Sequence, residues 1–132
     1  MPARVIVLAG PSGAGKSHLS RRLGLPVLNL DDFYKDGDDP TLPCLDLGGG
    51  APIVDWDDPS SWHHAHAVDT IEQLCRDATA DVPTYDIGQS RRTGHRLLEL
   101  AGATHFVAEG IFAQEVVGEC VSRRLLADAI CV

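Results

Sequence analysis

The octapeptide at residues 10–17, GPSGAGKS, constrains this chain more than any other feature. It fits the pattern G-x-x-x-x-G-K-[ST] of a phosphate-binding loop, in which glycines let successive backbone N–H groups point into one concavity. An apolar run at 5–9 precedes the loop, and a helical pattern at 18–23 follows it. Strand, loop and helix therefore come in the required order, and the loop predicts binding of a nucleoside triphosphate.

Each position of the loop has an expected role. Lys16 would reach the β- and γ-phosphates of ATP, and the Ser17 hydroxyl would bind Mg²⁺. The other candidates for nucleotide contact are Gly10, Ser12, Gly13, Ala14, Gly15 and His18. The alternative, a glycine-rich turn with a surface lysine, is disfavoured because the flanking strand and helix are both present.

Length and charge limit the classes of protein to consider. With 132 residues, we expect a single domain over 1–132. A formal net charge of −8 argues against nucleic acid or an anionic membrane as a partner. No apolar run has the length of a membrane span, no targeting segment is apparent, and the four cysteines lack C-x-x-C spacing, so a cytoplasmic protein is predicted. The sequence does not indicate an oligomeric state.

Acidic residues follow two predicted strands. The run 27–30 leads to Asp31 and Asp32, and the run 104–108 leads to Glu109. Ligands of open α/β sheets bind at the carboxyl ends of the strands, so one aspartate could accept a proton from a hydroxyl or lie near Mg²⁺, and Glu109 could hold Mg²⁺. In an extended strand end the two aspartates point to opposite faces, so only one of them can face the loop, and the other could act as a cap.

The remaining segments complete an alternation of strands and helices. Residues 35–56 are irregular and predict a lid or acceptor-binding insertion, with simple disorder as the alternative. A helix is expected from Asp58 as cap and Pro59 as first residue, through an apolar stripe ending at Ala78. A helix is also expected over 113–126, and a fourth strand over 127–132. The chain is therefore predicted to be a three-layer α/β domain with a mostly parallel sheet.

Two groups of basic or imidazole side chains indicate a functional role less specifically. His63, His64 and His66 lack the i, i+4 spacing of a metal-binding helix pair, so packing or solvated histidines are favoured over a metal site. Arg91 is retained as a substrate-binding candidate, against the alternative that Arg91 and Arg92 form a solvated face.

Five stretches together resemble the uridine kinase and phosphoribulokinase-like group of phosphate-loop kinases. They are residues 10–17, 31–35 (DDFYK), 55–59 (DWDDP), 83–86 (PTYD) and 108–111 (AEGI). The resemblance implies an α/β phosphate-loop fold with strand order 2-3-1-4. It also implies ATP- and Mg²⁺-dependent transfer of a phosphoryl group to a hydroxyl of a small molecule, most of all the 5′-hydroxyl of a nucleoside.

The resemblance implies roles for individual residues. Asp31 matches the catalytic acid that accepts the hydroxyl proton and lies near Mg²⁺, and Glu109 matches the Mg²⁺-linked acid. The resemblance therefore implies that Asp31 is the aspartate that faces the loop, and Asp32 is expected to be a helix or turn cap. Tyr34 matches an aromatic wall of the nucleoside pocket, Tyr85 the tyrosine beside the base, and Asp57 the carboxylate that binds the ribose hydroxyls.

The sequence departs from the family pattern at two places. Gln89 and Ser90 stand where uridine kinases carry a base-reading histidine, which leaves open a kinase for another small hydroxyl acceptor, pantothenate-like or sugar-phosphate-like. The family's arginine-rich lid and last strand would follow Val132, so we expect either a C-terminally incomplete domain or one that works without a lid. A nucleotide-binding module without turnover is the alternative of a different class.

Overall fold

The computed structural model describes residues 2–11, 15–46 and 48–132, with the backbone alone at Ser17. In chain order, the strands are β1 (Arg4–Ala9), β2 (Val27–Asn29), β3 (Cys44–Leu45), β4 (Ile53–Val54), β5 (Thr79–Asp86), β6 (Arg91–Glu99), β7 (His105–Gly110) and β8 (Leu126–Cys131). The α-helices are α1 (Lys16–Leu23), α2 (His64–Asp77) and α3 (Val117–Ser122). Short 3₁₀ helices cover Leu30–Phe33, Pro59–Ser61 and Ala113–Val116.

The central sheet contains four parallel strands in the order β2-β7-β1-β8. When these four are numbered along the chain, the order is 2-3-1-4, so the predicted α/β fold and strand order are confirmed. In the register of the sheet, Leu8 of β1 and Asn29 of β2 both pair with Glu109 of β7. The carboxyl ends of the three strands therefore meet at one edge, where the phosphate-binding loop also begins.

Helix α2 covers the sheet with the apolar stripe predicted from the sequence. Ala67, Val68, Ile71 and Leu74 are buried in the same core as Phe106 of β7. A stripe of this width buries one face of the helix and leaves the opposite face polar, which is the usual arrangement of a helix on a sheet.

The start of α2 differs from the prediction. Asp58 does act as a cap, accepting a hydrogen bond from the Ser60 amide (2.9 Å), but it caps a 3₁₀ helix, and the chain is extended again at Trp62. Trp62 forms an isolated antiparallel bridge with Tyr34, and its buried indole N–H donates to the Leu30 carbonyl (2.7 Å). These contacts with the end of β2 require extended backbone, so α2 begins at His64.

The predicted helix over 113–126 is also shorter than expected. It divides into the 3₁₀ helix Ala113–Val116 and the six-residue α3, which ends at Ser122. Arg124 then adopts the left-handed conformation (φ 59°), and the Leu125 amide donates to the Cys120 carbonyl (2.8 Å). This helix-ending motif turns the chain directly into β8.

Two hairpins lie outside the central sheet. Within the irregular segment 35–56, β3 and β4 pair antiparallel, and residues 48–50 lie in the turn between them. β5 and β6 form a separate two-stranded antiparallel sheet. None of the described helices combines the length and apolar character that crossing a lipid bilayer requires.

Replacing Trp62 tests its part in fixing the entry to α2. We expect Trp62→Phe to lower the free energy of unfolding by roughly 1–3 kcal/mol, because the buried Leu30 carbonyl loses a donor. Trp56→Phe is the matched control, since Trp56 is only half-buried. Urea denaturation of the two variants measures the difference. Equal losses of stability in both variants would contradict this account of Trp62.

Candidate active site

The phosphate-binding loop lies between β1 and α1, as the sequence predicts. Gly10 follows β1 with φ 155°, and Gly15 precedes α1 in the left-handed conformation (φ 92°). Lys16 is buried, and its ammonium group donates to the Gly10 carbonyl across the loop. His18 is exposed in the first turn of α1. Ser12, Gly13, Ala14 and the Ser17 side chain lie outside the described residues, so their roles remain predictions.

Asp31 approaches this loop from the end of β2. The strand ends at Asn29, whose side chain accepts a hydrogen bond from the Asp31 amide (3.1 Å) and starts the 3₁₀ helix Leu30–Phe33. The Asp31 carboxylate accepts a hydrogen bond from the Ile111 amide (3.1 Å), directly after β7. Burial raises the pKa of Asp31 and Glu109 raises it further, while the Ile111 hydrogen bond and Lys16 act in the opposite direction.

Gly110 makes the approach of Asp31 to β7 possible. A Cβ atom at this position would lie 2.8 Å from the Asp31 Oδ1, closer than real Cβ contacts allow, and 3.0 Å from the Leu30 Cβ, which is tighter than most real contacts. Only a residue without a side chain fits between β7 and the carboxylate. The sequence carries a signal for this requirement, since Gly110 directly follows the acid at a strand end, but the sequence analysis assigned Gly110 no role.

Glu109 faces the same edge from β7. Its carboxylate accepts a hydrogen bond from the hydroxyl of Ser20, a buried residue of α1 whose contribution the sequence did not reveal. Asp31 and Glu109 therefore bring two carboxylates near the phosphate-binding loop. In the part of the chain that the structure describes, no three His, Cys, Asp or Glu side chains converge as a metal site. Two carboxylates nevertheless fit Mg²⁺, which is typically held by one or two carboxylates together with water and nucleotide phosphates.

The two adjacent aspartates do not take the predicted extended geometry. Both belong to the 3₁₀ helix, because Asn29 ends the strand and caps that helix itself. Asp32 is therefore not the cap that the sequence predicts. Its carboxylate accepts a hydrogen bond from the Tyr85 amide (3.3 Å) and so connects this helix to the β5–β6 hairpin. The charge of Lys16 acts on the pKa of Asp31, whereas Arg96 is the cation that acts on the pKa of Asp32.

An aromatic pocket lies beside Asp31. It is a cavity of about 370 Å³, lined by Tyr34, Trp56, Tyr85, Ile87 and Ser90. The Tyr34 ring is 5.8 Å from the rings of both Trp56 and Tyr85, centroid to centroid. Sequence reasoning identified the two tyrosines but missed Trp56 and Ile87 as walls, although Trp56 stands in the conspicuous DWDDP stretch.

Tyr34 connects the pocket to the carboxylates. Burial raises the pKa of Tyr34 to about 12, and the negative charges of Asp31 and Asp57 add to the shift. Asp57 itself is exposed and is not among the residues that line the pocket. The Tyr34 hydroxyl is neutral at physiological pH and can donate a hydrogen bond.

Arg91 lies outside the aromatic pocket. It is exposed, pairs with Asp86 in the hairpin register, and lines a neighbouring cavity of about 370 Å³ together with Asp36 and Arg92. The predicted site residues thus fall into two groups: Lys16, Asp31 and Glu109 lie near the loop, and Tyr34 and Tyr85 line the pocket. Asp57 is related to the second group through its charge, which raises the pKa of Tyr34. Arg91 belongs to neither group.

The three histidines at the start of α2 make separate contacts. A ring nitrogen of His64 lies 2.8 Å from the Glu115 carbonyl, and His66 Nδ1 lies 3.3 Å from the Arg92 guanidinium. Burial and the charge of Arg92 lower the pKa values of His63 and His66, which favours neutral imidazoles in this region.

Comparison with curated proteins gives limited information on activity. No protein-family model matches the chain. It is 30% identical over 116 residues to Inorganic pyrophosphatase TTM1 of Arabidopsis thaliana, a match covering 83% of this chain and 16% of that protein. The match to Inorganic pyrophosphatase TTM2 of the same plant is 28% identical and covers 83% and 15%, respectively. The chain thus spans about one sixth of these relatives, and the activity in their names describes the whole proteins.

Comparison with solved structures establishes the fold. A "possible uridine kinase" from Bacillus stearothermophilus matches with TM-score 0.66 and 18% identity, over 99% of this chain and 71% of that one. A candidate fructose transport system kinase from Silicibacter sp. TM1040 matches with TM-score 0.69 and 16% identity, over 98% and 65%. The chain has the α/β fold of phosphate-loop kinases, and the resemblance to the uridine kinase-like group is confirmed at the level of the fold.

Gly110→Ala tests the close packing of Asp31 against β7. The added methyl group would overlap the Asp31 carboxylate, so we expect the free energy of unfolding to fall by roughly 1–3 kcal/mol. Gly118→Ala is the control, because a Cβ in α3 meets nothing within 4 Å, and there alanine should stabilise the helix by up to about 1 kcal/mol. Thermal and urea denaturation measure both changes. A neutral Gly110→Ala would show that Asp31 is not packed against this glycine.

The pKa of Tyr34 can be measured separately, because the chain has only two tyrosines. In Tyr85→Phe, ultraviolet titration should give a midpoint near 12, well above the usual 10.0. The stabilisation that this raised pKa represents is fully present below pH 10 and is lost as the pH rises toward 12. A midpoint near 10 in protein that circular dichroism shows to be folded would contradict the burial of this phenol.

Proposed function

We propose that this chain transfers the γ-phosphoryl group of ATP to a hydroxyl of a small molecule, most of all the 5′-hydroxyl of a nucleoside. The observation that carries the proposal is the position of Asp31 between the two halves of the site. Its carboxylate is close enough to Lys16 for their charges to interact, and close enough to Tyr34 of the aromatic pocket to raise the tyrosine's pKa. A group there can meet both a nucleotide phosphate and an acceptor.

On the nucleotide side, Lys16 and the amides of residues 10–17 would hold the phosphates at the N-terminus of α1. Ser17, Asp31 and Glu109 would serve Mg²⁺, which when bound neutralises charge on the transferring phosphoryl group. The hydrogen bond from Ser20 fixes the Glu109 carboxylate against α1. Phosphoryl transfer needs mainly positioning and charge stabilisation, and these side chains can supply both.

On the acceptor side, Asp31 would act as the base that takes the proton of the attacking hydroxyl. The Ile111 amide fixes the carboxylate, and burial raises its pKa above that of an ordinary aspartate, which makes it a better proton acceptor. The flat walls formed by Tyr34, Trp56 and Tyr85 suit a planar ring. Asp57 would accept hydrogen bonds from sugar hydroxyls.

We further propose that segment 35–56 belongs to the acceptor site as an insertion. Its residue Trp56 forms part of the pocket wall, and its Lys35 carbonyl accepts a hydrogen bond from the Tyr85 hydroxyl (3.0 Å). A cytoplasmic location is proposed with the activity, since ATP is the expected co-substrate. Nothing in this proposal requires nucleic acid or a membrane as a partner.

One observation favours a different acceptor as the second candidate. Ser90, which stands where uridine kinases carry their base-reading histidine, lines the pocket directly. Replacing a hydrogen-bonding group in a binding site can strongly change which substrate the site accepts. A pantothenate-like or sugar-phosphate-like acceptor would keep the same chemistry at Asp31.

An acceptor panel separates these possibilities. ADP release from Mg-ATP is followed with uridine, cytidine, adenosine, pantothenate and fructose 6-phosphate in turn. Release that depends on a nucleoside supports the proposal in full, and release with another compound redirects it to the second candidate. Tight ATP binding without acceptor-dependent release by any compound would overturn the kinase proposal in favour of a nucleotide-binding module.

Asp31→Asn tests the proposed base. The amide keeps the shape of the carboxylate but cannot take the proton, so we expect kcat to fall by about 10²-fold or more with ATP affinity nearly intact. Asp32→Asn is the matched control, because an amide oxygen can still accept from the Tyr85 amide, and turnover should be preserved. Steady-state kinetics with the best acceptor of the panel decide between the two. An inactive Asp32→Asn beside an active Asp31→Asn would refute the assignment.

A further inference from the structure

We infer that Asp36 and Arg92 are positioning residues for the acceptor: they hold in place the tip of the β5–β6 hairpin, whose residues Tyr85 and Ser90 are walls of the aromatic pocket. Neither residue was identified from the sequence, and neither lines that pocket itself. The inference rests on the proposed function, since it concerns how the same site binds its acceptor.

A β-bulge in the hairpin creates the need for such a contact. Thr84 pairs with Gly94 and Tyr85 with Arg92, so Thr93 is an extra residue on β6. A bulge disrupts the strand ladder locally and turns the neighbouring residues toward new partners. It lies beside Tyr85, the hairpin residue that forms a wall of the pocket.

Asp36 provides the new partner. Its carboxylate accepts a hydrogen bond from the Arg92 amide at 2.7 Å, across the gap between the hairpin and the loop that follows Tyr34. At its other end, the Arg92 guanidinium lies 3.3 Å from His66 Nδ1 on α2. Arg92 therefore connects the hairpin both to the loop and to a helix packed on the central sheet.

The same loop makes two further contacts with the hairpin. The Tyr85 hydroxyl donates to the Lys35 carbonyl (3.0 Å), and the Gly37 amide donates to the Ser90 carbonyl (2.6 Å). Tyr85 and Ser90 are both pocket walls, so residues 35–37 fix the pocket at its outer side. A Cβ at Gly37 would lie only 3.2 Å from Ser90, which shows how closely the two segments approach.

The contacts predict a particular kinetic effect. The hairpin walls would surround the part of the acceptor remote from the reacting hydroxyl, whereas Asp31 is held by the amide after β7 and Lys16 by the phosphate-binding loop. Loosening the hairpin should weaken acceptor binding equally in the ground and transition states. Such a loss raises KM for the acceptor and leaves kcat almost unchanged.

The test compares Asp36→Ala with two controls. Asp38→Ala removes the same charge two residues away, from an exposed residue lining the same neighbouring cavity. Asp36→Asn keeps an oxygen that can accept from the Arg92 amide. With uridine and Mg-ATP, we expect Asp36→Ala to raise KM for uridine about 10-fold, the effect of losing one charge-assisted hydrogen bond, with kcat and KM for ATP within about 2-fold. Both controls should remain close to the unaltered protein.

Amide hydrogen exchange provides a readout that does not depend on turnover. The Arg92 and Gly37 amides should exchange faster in Asp36→Ala than in the unaltered protein, while Asp38→Ala leaves them unchanged. Unaltered exchange at both amides, or a rise in KM for ATP equal to that for uridine, would overturn the inference. If the unaltered protein releases no ADP with uridine, uridine phosphorylation fails as a function, and the exchange rates alone decide whether Asp36 positions the hairpin.

Discussion

The site depends on one hydrogen bond, from the Ile111 amide to the Asp31 carboxylate, because it joins the carboxyl ends of the neighbouring strands β2 and β7. The 3₁₀ helix after β2 turns Asp31 toward β7, and Gly110 leaves space for the carboxylate to reach the amide. Lys16 approaches from α1 and partly offsets the cost of burying the negative charge. A parallel sheet brings these strand ends together without any contact having to be local in sequence.

Around this bond, the molecule keeps two environments close together but separate. The loop side is polar and contains an ammonium group and two carboxylates, whereas the pocket side consists of aromatic walls whose rings meet edge-on or at a tilt. Tyr34 belongs to both, since its ring forms a wall and its phenol lies near Asp31. Trp62 holds Tyr34 in place, because its backbone forms a bridge with Tyr34 and its indole N–H donates a hydrogen bond to the Leu30 carbonyl.

The sequence predicted those features whose cause is local. The buried strands and the place of the phosphate-binding loop between a strand and a helix follow from apolar runs, glycines and alternation with helices. The strand order was implied by the family resemblance, and the structure confirms it together with the strands. The predictions for the start of α2 and for the backbone conformation at Asp31 were wrong, because Trp62 and Asn29 make contacts that override the local pattern. Trp56, Gly110 and Ser20 were missed for a related reason. Each of them contacts a segment that is far away along the chain, and a single sequence does not show which distant segments come together in the fold.

The β5–β6 hairpin shares no strand pairing with the central sheet and reaches the site only through side chains and a few amides. Changes in the length or composition of its tip can therefore accumulate without disturbing the ladder that holds Asp31, Glu109 and the phosphate-binding loop. A lineage of such domains can diverge in what it binds while its strand ends remain constant. Exchanging whole hairpins between related chains by recombination is therefore a direct way to change what such a domain binds in the laboratory.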